Sequence, residues 1–357
     1  MSLAPSVDQR IRSASRPNCA LCGSNGVSIY LEQQDRLFGA GGAWNFKKCR
    51  NRKCGLIWLD PMPLEEDIGK AYVNYYTHAG TAAQGRIRPK KVGALKQFYR
   101  LIKRGYLAGK YGYERGAASF TARSVGKLLY LFPFRRSRLD AEVRFLRAVP
   151  QGRLLDVGCG SGRWLEAMRE LGWQVEGVDF DEQVVKAATD RGLAVRGGSL
   201  EQQNFPKASF DAVTLSHVIE HVPDPVRTLT ECARILKEGG KLVLWTPNGS
   251  SLGHTIFRQH WRGLEPPRHL HIFSPGSMRA LLNKAGFSRS SIRTRNSFMI
   301  WQHSLVLRKG QSASDLTFAG RLARNIASGL LSLLETTLLT ARVQAGELLD
   351  VRASKAL

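Results

Sequence analysis

No run of eighteen apolar residues occurs in this chain, so the sequence predicts no membrane-spanning helix. The opening stretch MSLAPSVDQRIRSAS lacks an apolar core, and no secretory signal is expected from it. Acidic residues are scarce: 29 Asp and Glu stand against 53 Lys and Arg, a formal charge of +24. That balance fits a polyanionic partner (nucleic acid, anionic lipid or a phosphorylated substrate), beside the plainer alternative of a basic soluble surface. Cysteine is scarce too, with six in 357 residues. Cys19, Cys22, Cys49 and Cys54 form one group, whereas Cys159 and Cys232 stand alone. This distribution reads as metal binding in a reducing compartment, not as a disulfide scaffold. There is no internal repeat.

Hydrophobic residues make up 43% of the chain, enough for one large domain with additions, or two. CALCG and CRNRKCG are two short cysteine loops, each followed by a glycine where the chain must turn. Paired loops of this kind bring four thiolates around one tetrahedral Zn²⁺, a closed structural site. The expected division is a zinc ribbon and linker over 1–80, a basic helical segment over 81–148, and a larger α/β domain over 149–357 with a helical insertion at about 300–344. Residues 84–148 carry 17 Lys and Arg against 3 Asp and Glu. Within them ALKQFYRLIKRGYLAGKYGY interleaves apolar and basic residues at helical spacing. Such a helix suits an anionic membrane surface or a phosphate-rich partner, or simply packs on the main domain. The leucine-rich stretch LTFAGRLARNIASGLLSLLETTLLTARVQA is helical; Arg321, Arg324 and Glu335 argue against its spanning a bilayer, which leaves a packed helix or an interfacial one.

From 150 to 250, strand and helix patterns alternate, which implies a parallel sheet covered on both faces. RLLDVG, QVEGVDF, LAVRGG, FDAVTLS and KLVLWTP are the expected strands, SRSSIRTR a sixth and GELLDVRAS a seventh; PVRTLTECARILKEGG is an expected helix, and SPGSMRALLNKAGF another with Ser274 at its N-cap and Pro275 in its first turn. After the first strand, LLDVGCGSGRW supplies Gly158, Gly160 and Gly162 in the pattern G-x-G-x-G before a helix. Glycines allow the tight turn and a close ligand approach. Arg163 stands where a dinucleotide fingerprint needs its third glycine, which weakens a nicotinamide or flavin assignment. The next strand ends in Asp179, placed to accept hydrogen bonds from two ribose hydroxyls.

These residues, in this order, resemble the class I S-adenosylmethionine-dependent methyltransferases, specifically the group around the ubiquinone-biosynthesis O-methyltransferases. The resemblance covers about residues 150–296. It implies an α/β, Rossmann-like seven-stranded sheet of order 3-2-1-4-5-7-6. It implies that Asp156, Gly158, Gly160 and Gly162 line the methionine part of S-adenosylmethionine, that Asp179 holds the ribose, and that Phe180, Ser199 and Leu200 lie beside the adenine. Ser216, at the end of the fourth strand, belongs to the same cofactor set. CGLIWLDPMP and WRGLEPPRHLHIFSPGSM resemble bacterial methyltransferases found with surface-sugar pathways, which carry a similar four-cysteine ribbon.

SHVIEHVPDP contains His217-x-x-Glu220-His221, the pattern of an inverted zinc peptidase. A peptidase needs both histidines on one face of a sustained helix. Here a strand precedes the motif and Pro223 and Pro225 follow, so any helix is two turns at most. Three alternatives stay open: His217, Glu220 and His221 bind a divalent ion; His217 or His221 is a general base; or Glu220 and His221 brace the loop. His269 and His271 of PPRHLHIF are further base candidates, and if that piece is extended both point to one side.

Methyl transfer needs the nucleophile in line with the methyl carbon and a base if the nucleophile is a hydroxyl. The resemblance implies a sugar or other small polar acceptor, with a lipid-linked saccharide at the cytoplasmic face of an anionic membrane as one form. The rival is an RNA base methyltransferase gripping RNA with the ribbon and basic segment. The strand-four end TLSH is neither an Asn-Pro-Pro-Tyr type nor a Pro-Cys type, which disfavours two kinds of base methylation. A third class is a ribbon-based binding module with a degenerate cofactor fold. The acceptor atom and the oligomeric state are not legible.

Overall fold

In the N-terminal segment β1 (Ser13–Ala14) and β5 (Met62–Pro63) pair with each other, and between them lie β2 (Gly26–Gln33), β3 (Trp44–Cys49) and β4 (Ile57–Leu59). The computed structural model describes residues 10–73, 93–113, 120–310, 317–341 and 343–355. These fall into two compact units. One holds 10–73, 216–233, 244–310, 317–341 and 343–354; the other holds 93–113, 120–215, 234–243 and 355.

In the second unit, α1 (Ala94–Tyr111), α2 (Phe120–Gly126) and α3 (Pro133–Glu142) precede the main sheet. α1 ends at Gly112, whose φ of +79° gives the left-handed cap that other residues resist. α1 and α2 pass backbone to backbone: a Cβ on Gly105 would stand 1.8 Å from the Ala122 carbonyl oxygen. The basic segment is therefore two-faced. Tyr106, Leu107, Tyr111, Leu129, Leu139 and Val143 pack on Leu154, Met168 and Trp173 in one core, while Phe98, Tyr99 and Leu101 stay exposed.

The alternation then runs β6 (Arg153–Val157), α4 (Arg163–Glu170), β7 (Gln174–Asp179), α5 (Glu182–Thr189), β8 (Ala194–Gly197) and β9 (Phe210–Ser216). It continues with α6 (Pro225–Ile235), β10 (Leu236–Pro247), α7 (Leu252–Phe257), β11 (His271–Ile272), α8 (Pro275–Lys284) and β12 (Arg289–Arg295), and closes with α9 (Phe298–Lys309), α10 (Phe318–Thr340) and β13 (Leu348–Ser354). The seven-stranded sheet has the order β12-β13-β10-β9-β6-β7-β8, the order the resemblance implies. β6 runs parallel to β7 and β9, and β7 to β8, while β12 and β13 pair antiparallel. β6 is buried from Leu154 to Val157, as a strand covered on both faces must be.

Three local features differ from the sequence expectation. β10 starts at Leu236, not Lys241: the EGG stretch expected to end α6 is already strand, passing through Gly239 at φ +70°. β11 joins the N-terminal strands in a four-stranded sheet of order β11-β4-β3-β2, with His271 opposite Trp58. His217-x-x-Glu220-His221 lies on a turn, with no helix at all. α8 follows expectation, with Ser274 as N-cap in a capping box and Pro275 in its first turn.

Candidate active site and cysteine cluster

In the second unit the loop after β6 turns through Gly158, Gly160 and Gly162 at φ +68°, +52° and +70°. Each is in the left-handed region, where a side chain costs about 1–2 kcal/mol. The amides of Gly158 and Cys159 both donate to the Val178 carbonyl, tying the loop to the end of β7. Asp179 completes the tie: one carboxylate oxygen accepts from the Gly160 amide at 2.8 Å, the other from the Asp181 amide at 3.1 Å. Each oxygen keeps a further lone pair for a ligand hydroxyl. Burial pushes the Asp179 carboxyl up, while those two amides oppose the rise. Nothing lies within 4 Å of where a Cβ on Gly160 would stand, so the loop faces open space. Phe180, next to Asp179, is 69% exposed, an aromatic face left for a ligand. Leu200 is buried, and the Ser199 amide donates to Gln202.

Asp156 sits below this loop. It is buried and paired with Arg144, and the Thr214 hydroxyl donates to it at 2.7 Å. Arg144 also donates to the Thr214 oxygen at 2.6 Å and stacks on the Trp164 ring, 3.6 Å from its centroid. It holds φ +45°, a conformation uncommon outside glycine. The loop thus rests on an Arg144–Asp156–Thr214 network. Arg144 was missed in the sequence, since nothing local marks a buried arginine twelve residues before its partner.

In the first unit the turn after β9 carries the histidines. His217 follows Ser216 directly and holds φ +57°. Its Nδ1 lies 3.2 Å from Oε1 of Glu220, and its side chain is 46% exposed. Glu220 is buried, and its Oε2 accepts from the Thr246 hydroxyl at 2.9 Å. Burial pushes the Glu220 carboxyl up, but His217, with His221 and His269 behind it, brings it to about 2. His221 and His269 meet edge to face at 4.7 Å between ring centroids. The Tyr72 hydroxyl and the Arg268 carbonyl lie 2.8 and 3.0 Å from His221 Nδ1, and the Gly263 carbonyl lies 2.7 Å from His269 Nδ1. Burial pushes both histidines down, His269 to about 4, against the pull of Glu220 on His221 and of Glu265 on His269. Here the ligand atoms of Glu220, His221 and His269 lie within 4.8 Å of one another, close enough to share a cation. His217 is not among them, so the metal alternative changes membership. His271 is buried in β11 and does not join that set.

Cys19, Cys22, Cys49 and Cys54 do converge. Their sulfurs all lie within 4.8 Å of one another, Cys19 to Cys54 at 3.7 Å and Cys22 to Cys49 at 3.4 Å. Sulfurs 2.3 Å from a tetrahedral Zn²⁺ are about 3.8 Å apart, close to these separations. The thiols oppose one another's ionisation: a hydrogen bond from Cys54 lowers Cys19 to about 5, while burial and its neighbours raise Cys49 to about 11. Four sulfurs so packed need a cation if all are to be thiolates.

Comparison with known proteins decides the glycine-loop region. Residues 132–291 match the methyltransferase domain family. This region is a class I S-adenosylmethionine-dependent methyltransferase domain. The ubiquinone biosynthesis O-methyltransferase of Xanthomonas oryzae pv. oryzae is 46% identical over 103 residues, covering 27% of this chain and 43% of that protein. The protein of the same name from Idiomarina loihiensis is 43% identical over 154 residues, covering 39% and 63%. The chain thus spans about half the length of the curated relatives it matches. Solved structures similar to it include S-adenosylmethionine-dependent methyltransferases of Archaeoglobus fulgidus (21% identity, 63% of this chain, 94% of that one, TM-score 0.40) and Mesorhizobium loti (19%, 61%, 98%, TM-score 0.42). No helix among the described residues is long and apolar enough to cross a membrane.

Proposed function

We propose that this chain methylates a hydroxyl of a sugar or other small polar acceptor, with His217 as general base and Glu220 orienting it. The observation that carries this reading is the His217–Glu220 pair. A buried carboxylate, itself held by Thr246, fixes Nδ1 and leaves the other edge of a half-exposed ring free to take a proton. S-adenosylmethionine supplies the electrophilic methyl group when bound. Gly158, Gly160 and Gly162, with Ser216, receive its methionine part; Asp179 accepts its ribose hydroxyls; Phe180, Ser199 and Leu200 flank its adenine. The methyltransferase domain's relatives are named O-methyltransferases, which supports oxygen as the acceptor atom. The four cysteines hold a structural Zn²⁺. In this reading the protein works at the cytoplasmic face of the membrane, and a lipid-linked saccharide is the preferred form of acceptor.

A second reading is favoured by one observation. Phe98, Tyr99, Tyr130, Phe132 and Phe134 are exposed on the basic segment, with Arg135 over the Tyr99 ring and Arg136 over Tyr130. Aromatic faces interleaved with cations also suit single-stranded RNA. Labelled methyl transfer from the cofactor into lipid, glycan and RNA fractions of cells separates the two. Label in glycan or lipid-linked glycan is expected; label in RNA alone would replace the first reading with the second.

A further inference from the structure

α10 is built the wrong way round for a helix that only packs on its own domain. Among its described side chains, those buried completely are polar. Ser328 and Glu335 are fully buried, and Glu335 accepts from the Trp301 indole at 2.6 Å and from the Glu347 amide at 2.7 Å. Asn296 donates to the Ser332 carbonyl at 2.8 Å from the same side. Its outward face is apolar: Leu322, Ile326, Leu330 and Leu333 are 52–65% exposed. Their spacing of four, four and three residues places them in one stripe about 16 Å long, opposite Ser328 and Glu335. An exposed stripe of this kind marks an interaction surface.

The charges around the stripe select its occupant. α9 and α10 lie antiparallel, with Trp301 beside Glu335 and Gln302 donating to Asn325. This brings the C-terminal end of α9 and the N-terminal end of α10 to one side of the pair; exposed Arg308 and Lys309 stand in the last turn of α9, and exposed Arg321 in the first turn of α10. The one acidic residue in the two helices, Glu335, is buried. A second copy meeting this face would find no exposed acid on either helix to pair with its own cations. An anionic bilayer answers both features: acyl chains for the leucines, phosphates for the arginines and lysine.

We propose that the α10 stripe and this basic end form a docking surface for anionic lipid, with the helix lying in the plane of the interface. This surface is independent of how the methyl-transfer site is read, and its failure would leave that site untouched. The test is sedimentation of the full chain with phosphatidylglycerol-containing vesicles and with phosphatidylcholine vesicles, at low and high salt. Binding to the anionic vesicles, reduced by salt, is expected. Ile326→Glu with Leu330→Glu should weaken it at least about tenfold without moving the thermal midpoint, since both side chains point to solvent. Arg308→Gln with Arg321→Gln should remove the preference for anionic lipid and spare the fold by a different route. Absence of vesicle binding, or binding that neither double variant changes, would overturn the proposal. So would a dimer in solution that Ile326→Glu with Leu330→Glu dissociates, because it would give the stripe to a second copy.

Discussion

Nδ1 of His217 stands 3.2 Å from Oε1 of Glu220, and the two belong to one turn whose first residue is held in the left-handed region. Strain of this kind, of order 1–3 kcal/mol, persists where the surroundings over-determine the backbone. Here the His217 amide donates to the Trp245 carbonyl, and Thr246 anchors Glu220.

If His217 takes the acceptor's proton, His217→Ala should lower kcat by about 10²–10⁴ while cofactor affinity stays within about twofold. Glu220→Gln should lower kcat less and change its pH profile, because the ring loses its charged partner. Equal turnover in both variants would leave the pair with bracing alone.

Purified under reducing, chelator-free conditions, the chain should carry one zinc per molecule by elemental analysis. Cys19→Ser or Cys54→Ser should lose the metal and lower the thermal midpoint, since structural zinc contributes directly to folding. A metal content unchanged by either substitution would refute the four-cysteine site.

Arg144→Met removes the cation from the Arg144–Asp156–Thr214 network and leaves a buried carboxylate unpaired. We expect a loss of about 3–5 kcal/mol in denaturant unfolding. Asp156→Asn combined with Arg144→Met should recover part of it, because the uncompensated charge is gone.

Burial lowers His269 from 6.5 to about 4, so the unfolded chain binds its proton first as pH falls. Stability from this group is complete above pH 6.5 and is lost towards pH 4, by about 3 kcal/mol at most. Glu335 and Glu347, which burial raises from 4.5 to about 7, act in the opposite sense across most of that window. His269→Asn should therefore be compared with the parent at each pH: it should flatten the acid loss between pH 6.5 and 4, and a parallel curve would contradict the assignment.

Much of the sheet was legible because its signals are local. Val178-Asp179 ends a strand, Gly158, Gly160 and Gly162 turn a loop, and Ser274-Pro275 opens a helix; each is set by residues within a few positions. The cysteine pairs were legible because metal chemistry fixes their spacing. What was hidden depends on distant partners. Nothing near Arg144 announces Thr214, seventy residues on, and nothing near His271 announces Trp58. The histidine set was half visible: the motif named Glu220 and His221, but only folding brings His269 against them and leaves His217, bonded to Glu220, outside that triad. α10 was legible as a helix, packed or interfacial, but which side turns inward shows only when Ser328 and Glu335 are seen to occupy the inside.

Calorimetric titration of the full chain with S-adenosylmethionine tests the central claim most directly. We predict saturable one-to-one binding, weakened at least about tenfold by Asp179→Ala, the loss expected when a charged acceptor is removed from ligand hydroxyls. A wild-type chain that gives neither binding heat nor a thermal shift with the cofactor would contradict it.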